Sequence, residues 1–278
     1  VVIERFRREA RAAASLKCPH TIELYDFGTA DDGTFYFVME LLNGLDLREL
    51  VGRYGPLGAP RTVHFLKQAC LSLAEAHERG LVHRDIKPSN LVACRMGVSV
   101  DYMKVLDFGL VKSAKDEDSV GRDLTSPDVT TGTPAYMAPE IAVGDTPVDH
   151  RADLNALGCV AFGMITGRDG CEGPTPIAVH TNHCRDVPPL PSNLSETAIP
   201  PQLDQVVLDC LAKDPAERPE SALDLLGRLN ALPVERWSAE AARKWWQLHL
   251  PERMMEGWES APVEPGASEE TRSIRPET

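Results

Sequence analysis

The sequence predicts an α+β protein in which a helix and a β-hairpin precede a larger, mainly helical body. Two observations predict this order. Strand-like runs at 21–27 and 34–40 flank the turn-forming pair Asp32 and Gly33, which is typical of a hairpin. After Gly44, which we expect to lie in a connector, apolar residues recur at helical spacing over most of the remaining chain.

The individual elements follow from local patterns. Residues 2–17 are charged and then alanine-rich, which favours a helix. Helical spacing of apolar residues over 63–77 predicts a long helix that Gly80 would terminate. Two short strands should flank Gly97, and further helices are predicted over 152–167, 202–213, 219–232 and 238–249, with prolines at 200, 201 and 219 near helix starts.

Composition limits the possible functions. The chain has 29 Lys+Arg and 42 Asp+Glu, a net charge of −13, which argues against non-specific binding of nucleic acid. The seven cysteines form no CxxC pair and no Cys/His ligand cluster, so we expect reduced thiols in a cytoplasmic protein. No apolar run is long enough to cross a bilayer, and no signal peptide is visible.

Three polar motifs fall at predicted strand ends and loops. The first, HRDIKPSN at 83–90, follows the long helix and precedes a short strand. The second is Asp107-Phe108-Gly109, directly after the next strand. The third, GTPAYMAPE at 132–140, follows a loop rich in Thr, Asp and Pro. Each motif alone is weak, but their order and spacing together are specific.

With these motifs the sequence resembles the protein kinase superfamily, and it is most similar to the bacterial eukaryotic-like (Hanks-type) serine/threonine kinases. The resemblance covers residues 1 to about 232. It implies a protein-kinase-like fold with an incomplete N-terminal β lobe, containing helix C and a hairpin, at 1–42 and a mainly helical C-terminal lobe at 43–232. Beyond these we expect a helical extension at 233–258 and a disordered tail, rich in Glu, Pro, Ser and Thr, at 259–278.

The resemblance implies the roles of four residues in phosphoryl transfer from ATP. Asp85 would accept the proton of the substrate hydroxyl, and Lys87 would stabilise charge on the γ-phosphate. Asn90 and Asp107 would supply hard oxygen ligands for Mg²⁺. The implied cofactors are therefore ATP and Mg²⁺, and the implied partners are proteins with Ser or Thr acceptors.

The resemblance also implies the nucleotide pocket. Glu9 matches the glutamate of helix C that pairs with the ATP-binding lysine. Met39 would back the pocket, and the backbone of Glu40 and Leu42 would hydrogen-bond the edge of the adenine. Val92 would pack under the ring.

Other residues resemble structural supports of the family. Glu140 and Arg218 match a buried ion pair, and Asp153 matches an aspartate that ties a central helix to the catalytic loop. A packed column linking the two lobes would be formed by His83, Phe108, Ala13 and Leu24. His83 is therefore interpreted as structural and not as a general base.

The loop between the second and third motifs offers phosphate acceptors. In kinases that carry an arginine before the catalytic aspartate, here Arg84, a phosphate on this loop pairs with that arginine. The available acceptors are Thr125, Ser126, Thr130 and Thr131. We hypothesise that Thr130 or Thr131 is autophosphorylated.

The sequence departs from the family at its beginning. Only eight residues precede Glu9, so the glycine-rich loop and the strand lysine are absent from this chain and we expect a truncated N-terminus. Charge stabilisation dominates this chemistry, so we expect the chain alone to be a weak or inactive kinase. The missing lysine favours an alternative, a pseudokinase or interaction module, which the intact catalytic motifs disfavour. A small-molecule phosphotransferase is disfavoured by the 132–140 segment and Arg218.

Overall fold

The computed structural model describes residues 10–30, 34–108, 134–143, 148–170, 182 and 185–255. The first described residues, 10–14, are helical, and the helix ends there with a turn at Ser15. The helix therefore ends three residues before the predicted end at residue 17. The residues before it lie outside the described part of the chain.

A two-stranded antiparallel sheet follows the helical segment. Strand β1 spans Leu24–Thr29 and strand β2 spans Phe35–Met39, with Phe27 opposite Phe37. A register shift between Leu24 and Asp26 marks a bulge at the start of β1. The predicted hairpin is thus confirmed, while the predicted turn residues Asp32 and Gly33 lie outside the described residues.

A second, three-stranded antiparallel sheet has the order β3-β4-β5. Its strands are β3 (Asn43–Asp46), β4 (Leu91–Met96) and β5 (Ser99–Val105). The expectation that Gly44 lies in a connector is wrong, because Gly44 pairs with Cys94 inside the sheet. A Cβ atom at position 44 would lie 2.3 Å from the carbonyl oxygen of Ala93, so the close approach of the two strands requires glycine.

Seven helices of the described residues make up most of the larger part. They are α1 (Leu47–Tyr54), α2 (Ala59–Glu78), α3 (Pro139–Val143), α4 (Arg151–Thr166), α5 (Pro201–Cys210), α6 (Ala222–Asn230) and α7 (Ala239–His249). Gly80 follows α2 with φ +74°, as its predicted terminator. Pro219 does not start a helix as predicted, because α6 begins at Ala222, where the Ser221 hydroxyl accepts the N–H of Asp224.

Helix α4 lies at the centre of this helical part. Nearly every residue along it is buried, including Leu154 and Phe162, and a helix that is apolar on all sides belongs in a core. Helix α2 packs against both α4 and α6. The segment 81–90 thus follows a helix that packs directly on the buried helix α4.

The C-terminal helix is fastened by a group of four residues, Arg61, Asp101, Trp237 and Trp246, which we call the Asp101 cluster. The Asp101 carboxylate accepts two hydrogen bonds from Arg61, at 2.9 and 2.7 Å. It also accepts the indole N–H groups of Trp237 at 2.8 Å and Trp246 at 2.7 Å. The Arg61 guanidinium lies 3.7 Å from the ring centroid of Trp245, a cation–π distance. Helices α2 and α7 and strand β5 are thereby joined at one buried carboxylate.

The residues after α7 contact the beginning of the three-stranded sheet. The Asn43 side chain donates to the carbonyl oxygen of Arg253 at 2.9 Å. The Arg95 guanidinium donates to the carbonyl oxygen of Met254 at 2.8 Å. The C-terminal segment therefore lies beside β3.

The described residues bear on two predictions, the state of the cysteines and the lack of a membrane-spanning segment. The cysteines of the described residues, Cys18, Cys70, Cys94, Cys159 and Cys210, are free thiols. Across the described ranges, no helix combines the length and the apolar character that a membrane crossing requires.

Candidate active site

The segment between α2 and β4 brings three predicted catalytic residues together. The Asp85 carboxylate accepts a hydrogen bond from Lys87 Nζ at 2.7 Å and one from Asn90 Nδ2 at 3.1 Å. Asn90 Nδ2 also donates to the Asp85 carbonyl oxygen at 2.8 Å. A 3₁₀ turn over Pro88–Asn90 makes this return possible, because it folds Asn90 back toward Asp85.

Asp107 lies two residues after the end of β5, and the residue before it is joined to the same segment. The Leu106 N–H donates to the Asn90 carbonyl oxygen at 2.9 Å. Asp107 itself has φ +55°, an uncommon conformation for a residue other than glycine. Because Nδ2 of Asn90 is engaged by Asp85, its amide oxygen is the atom left to act as a ligand. An amide oxygen and a carboxylate are the hard donors that Mg²⁺ accepts, so the donor set fits this ion.

His83 and Phe108 pack against each other beneath the site. Their ring centroids are 4.6 Å apart, and His83 Nε2 lies 2.7 Å from the carbonyl oxygen of Leu106. Burial lowers the pKa of His83 below its usual range, which keeps the ring neutral near pH 7. Phe108 lines a small cleft together with Ala13 and Leu24. The four residues predicted to form a column thus lie in one contiguous group.

Met39, at the end of β2, lines the same cleft as Asp107. Glu40 and Leu42 follow it in the short link between β2 and β3, which connects the two-stranded sheet to the three-stranded sheet. Val92 lies in the neighbouring strand β4 and is largely buried. Of the predicted nucleotide-pocket residues after Glu9, Met39 and Asp107 thus line this cleft, while the roles of Glu40, Leu42 and Val92 stay predictions.

The segment 81–90 carries the predicted catalytic residues, and we call it the catalytic segment. Asp153 and His77 hold it at His83 and Arg84, and we call these four residues the Asp153 cluster. Asp153 of α4 accepts the backbone N–H groups of His83 at 2.7 Å and Arg84 at 2.8 Å. Its carboxylate also lies 2.8 Å from His77 Nε2. Burial alone raises the pKa of Asp153, but the hydrogen bond from His77 and the nearby imidazoles lower it on balance.

His77 was missed as a supporting residue in the sequence, where it counted only as part of the helical pattern. Its position in that pattern offers one signal, since a polar side chain at an apolar position of a helix needs a buried partner. Arg84, one residue before Asp85, has φ +62°. The two hydrogen bonds to Asp153 hold the backbone in this conformation directly before Asp85.

Glu140 and Arg218 form a buried ion pair in the helical part. Two guanidinium nitrogens of Arg218 lie 2.7 Å from the two carboxylate oxygens of Glu140. The Arg218 side chain also donates to the carbonyl oxygens of Ala212, Lys213 and Arg151. This geometry joins α3 to the segment between α5 and α6.

Several predicted residues lie outside the described part of the chain. They are Glu9, Thr125, Ser126, Thr130, Thr131 and the tail at 259–278. Their roles stay predictions.

The sequence profile described as the protein kinase domain matches residues 2–228. The chain is 37% identical over 241 residues to serine/threonine-protein kinase pkn3 of Myxococcus xanthus, covering 86% of this chain and 44% of pkn3. It is 36% identical over 243 residues to serine/threonine-protein kinase PknB of Mycolicibacterium smegmatis, covering 86% of this chain and 37% of PknB. The chain thus spans less than half the length of these relatives.

Solved structures agree with the fold. A double mutant of the kinase domain of Mycobacterium tuberculosis PknI superposes with a TM-score of 0.61 at 26% identity, covering 82% of this chain and 78% of that one. Rad53 in complex with AMP-PNP gives a TM-score of 0.65 at 24% identity, covering 80% and 53% of the two chains, and shows the fold alone. The chain belongs to the protein kinase family, among the bacterial Hanks-type serine/threonine kinases.

Proposed function

We propose that this chain carries the catalytic centre of a kinase that transfers the γ-phosphate of ATP to Ser and Thr hydroxyls of proteins. The observation that supports this best is the convergence of Lys87 and Asn90 on the Asp85 carboxylate, beside the residues that lead from β5 to Asp107. The bacterial relatives that the chain matches are named serine/threonine-protein kinases. We place the reaction in the cytoplasm, where ATP and reduced thiols are found.

In the proposed mechanism each side chain has one task. Asp85 accepts the hydrogen of the substrate hydroxyl and points its oxygen toward the phosphate. Lys87 donates to the transferred phosphoryl group as charge develops on it. Asn90 and Asp107 would hold Mg²⁺, which neutralises charge between the phosphates when it is bound.

In the proposed nucleotide pocket, Met39 closes the back and Val92 supports the adenine from below. The carbonyl oxygen of Glu40 and the N–H of Leu42 serve the edge of the base. We assign Glu9 the role of ion-pair partner to a lysine that contacts ATP.

Thr125, Thr130 and Thr131 remain the proposed phosphate acceptors on the loop between the second and third motifs. Mass spectrometry of active protein would locate the phosphate, and finding both Thr130 and Thr131 unmodified would refute the autophosphorylation hypothesis.

The test is the isosteric substitution Asp85→Asn in the full-length gene product. Loss of a general base typically lowers the rate by about 10²–10⁴-fold, so transfer of radiolabelled phosphate from ATP to a protein substrate should nearly vanish. The temperature of thermal unfolding should not change. Glu240→Gln, which removes an exposed carboxylate on α7, is the matched control and should keep the full rate.

If Asp85→Asn retains the wild-type rate, the catalytic assignment is wrong. If the wild-type protein transfers no phosphate but still binds a protein partner, the interaction-module alternative replaces the proposal.

A further inference from the structure

Strand β5 carries a lysine whose side chain is almost fully buried. Lys104 is only 5% exposed and lies between the core residues Met103 and Val105. A buried ammonium group requires charged or polar partners, because burial removes its hydration. Lys104 Nζ donates to Glu40 Oε1 at 2.5 Å and to the carbonyl oxygen of Thr21 at 3.3 Å. The ion pair with Glu40 is thus the main partner of this charge.

Glu40 is the first residue of the link between β2 and β3. Its carboxylate accepts the N–H of Glu23 at 2.9 Å, and its own N–H donates to the carbonyl oxygen of Glu23 at 3.0 Å. The side chain is therefore held on two sides, by Glu23 and by Lys104. Because both the backbone and the carboxylate of Glu40 are engaged, the position of its carbonyl group depends on these contacts.

The same contacts reach the strand that presents Asp107. The Ile22 N–H donates to the Val105 carbonyl oxygen at 2.9 Å, and the Val105 N–H donates to the His20 carbonyl oxygen at 2.8 Å. Lys104 also lies directly opposite Val92 in the β4–β5 pair, so both side chains leave the sheet on one face. Lys104 is therefore joined to Glu40, Val92 and the start of the Asp107 segment at once.

A second lysine–glutamate pair in the protein shows what such a contact does without burial. Lys244 and Glu240 of α7 lie within 2.6 Å, but their side chains are 73% and 77% exposed. The corresponding values for Lys104 and Glu40 are 6% and 11%. Exposed pairs contribute little, whereas removing one partner of a buried pair leaves an unpaired charge. The two pairs therefore form a matched comparison within one chain.

We propose that Lys104 is a positioning residue for nucleotide binding, which acts by holding the Glu40 carboxylate and so the backbone that meets the adenine. This inference rests on the proposed function. Without Lys104, the Glu40 carboxylate would keep one N–H donor in a buried place and would turn toward water. The carbonyl group of Glu40 would then move away from the position that serves the base, so binding of ATP would weaken while Asp85 and Lys87 stay in place.

The test compares Lys104→Met with Lys244→Met in the full-length gene product. Lys104→Met keeps the apolar stem but removes the charge, and it should raise the KM for ATP and the Kd of a fluorescent ADP analogue by about tenfold, within the range of coupled buried contacts. The kcat at saturating ATP should stay close to that of the wild type. Lys104→Arg should restore most of the affinity, and Lys244→Met should leave both constants unchanged.

A double-mutant cycle with Glu40→Gln separates positioning from general destabilisation. Glu40→Gln retains an acceptor for Glu23 but loses the ion pair, so it should raise the KM for ATP in the same direction. The double variant should bind ATP no worse than Lys104→Met alone, because the shared contact is already lost. If Lys104→Met does not fold, Glu40→Gln alone decides the proposal by the same shift in KM.

The possible failures are distinguishable. If the wild-type protein transfers no phosphate, the proposed function is wrong and this inference falls with it. If the wild type transfers phosphate and both Lys104→Met and Glu40→Gln keep its KM for ATP, the positioning role is refuted while the function stands. A fall in kcat with unchanged KM also refutes the positioning role.

Discussion

Two fully buried aspartates organise different parts of this protein, Asp153 beside the catalytic segment and Asp101 beneath the C-terminal helix. Asp153 accepts two backbone N–H groups and one imidazole N–H. Within the described residues, the Asp101 carboxylate accepts side-chain donors alone, from one guanidinium and two indoles. A carboxylate that binds backbone groups fixes the path of a loop, whereas one that binds side chains fixes how separate elements pack. The comparison therefore predicts that the first cluster controls activity and the second controls stability.

The largest expected effect comes from Asp153→Asn. The amide cannot accept the N–H groups of both His83 and Arg84 as the carboxylate does, so the backbone before Asp85 should shift. A displacement of about 1 Å at reacting groups can lower a rate by about 10²-fold, and the lost buried acceptor should lower the free energy of unfolding by about 3–5 kcal/mol. Steady-state phosphoryl transfer and urea unfolding measure the two. A folded variant with the wild-type rate would contradict the comparison.

The matched variant is Asp101→Asn, which should affect stability alone. Asn tolerates the φ of +53° at this position, so the change isolates the lost charge opposite the buried Arg61. We expect the free energy of unfolding to fall by about 3–5 kcal/mol. The rate per folded molecule should be unchanged, because position 101 lies about 13 Å along β5 from the strand end at Val105, beyond which Asp107 follows. A loss of rate comparable to that of Asp153→Asn would remove the distinction.

A smaller effect is expected from Trp246→Phe, which retains an aromatic ring and removes one N–H donor from the Asp101 cluster. A hydrogen bond to a charged group contributes about 1.5–3 kcal/mol, and the free energy of unfolding should fall by that amount. Trp237→Phe removes the second indole donor to the same carboxylate and should lower the free energy of unfolding by a similar amount. If both variants unfold like the wild type, the indole contacts do not fasten α7.

The smallest effect is a shared dependence on pH. Burial lowers the pKa of His83 in the Asp153 cluster and of His64, whose Nε2 lies 3.0 Å from the Asp101 carbonyl oxygen. The unfolded chain, with a histidine pKa of about 6.5, then binds protons that the folded chain does not. Stability should therefore be complete above this pKa and fall as the pH drops below it. Thermal unfolding at pH 7.5 and 5.5 measures the change, and His64→Gln should reduce it.

The catalytic segment could be predicted from the sequence because its contacts are local. Asp85 contacts Lys87 and Asn90, which lie within five residues of it in the chain, so the local sequence determines most of this geometry. The hairpin, the two strands that flank Gly97 and five of the helices also followed from spacing, whereas β3, α1 and α3 were not predicted. At Gly44 the prediction was wrong, because an isolated glycine has the same appearance in a connector as in a tightly packed strand. Local patterns cannot distinguish the two, because the close contact with Ala93 comes from a strand far along the chain.

The Asp101 cluster and Lys104 could not be predicted in this way. Arg61, Trp237 and Trp246 are ordinary helix and loop residues until the fold brings them to one carboxylate. Lys104 has the appearance of a surface residue, and its burial depends on Glu40, which lies 64 positions away. In both places a charge is buried only because its partner arrives from a distant segment.

The Asp101 cluster also has a consequence for how its residues vary during evolution. Its carboxylate draws donors from three separate stretches of the chain, at 61, 237 and 246, and losing any one of them leaves a buried group without its partner. Selection should therefore keep or discard the arginine, the aspartate and the two tryptophans as a set. Relatives that retain a C-terminal helix packed in this manner should carry all four residues at the aligned positions. Relatives without this helix should lack all four.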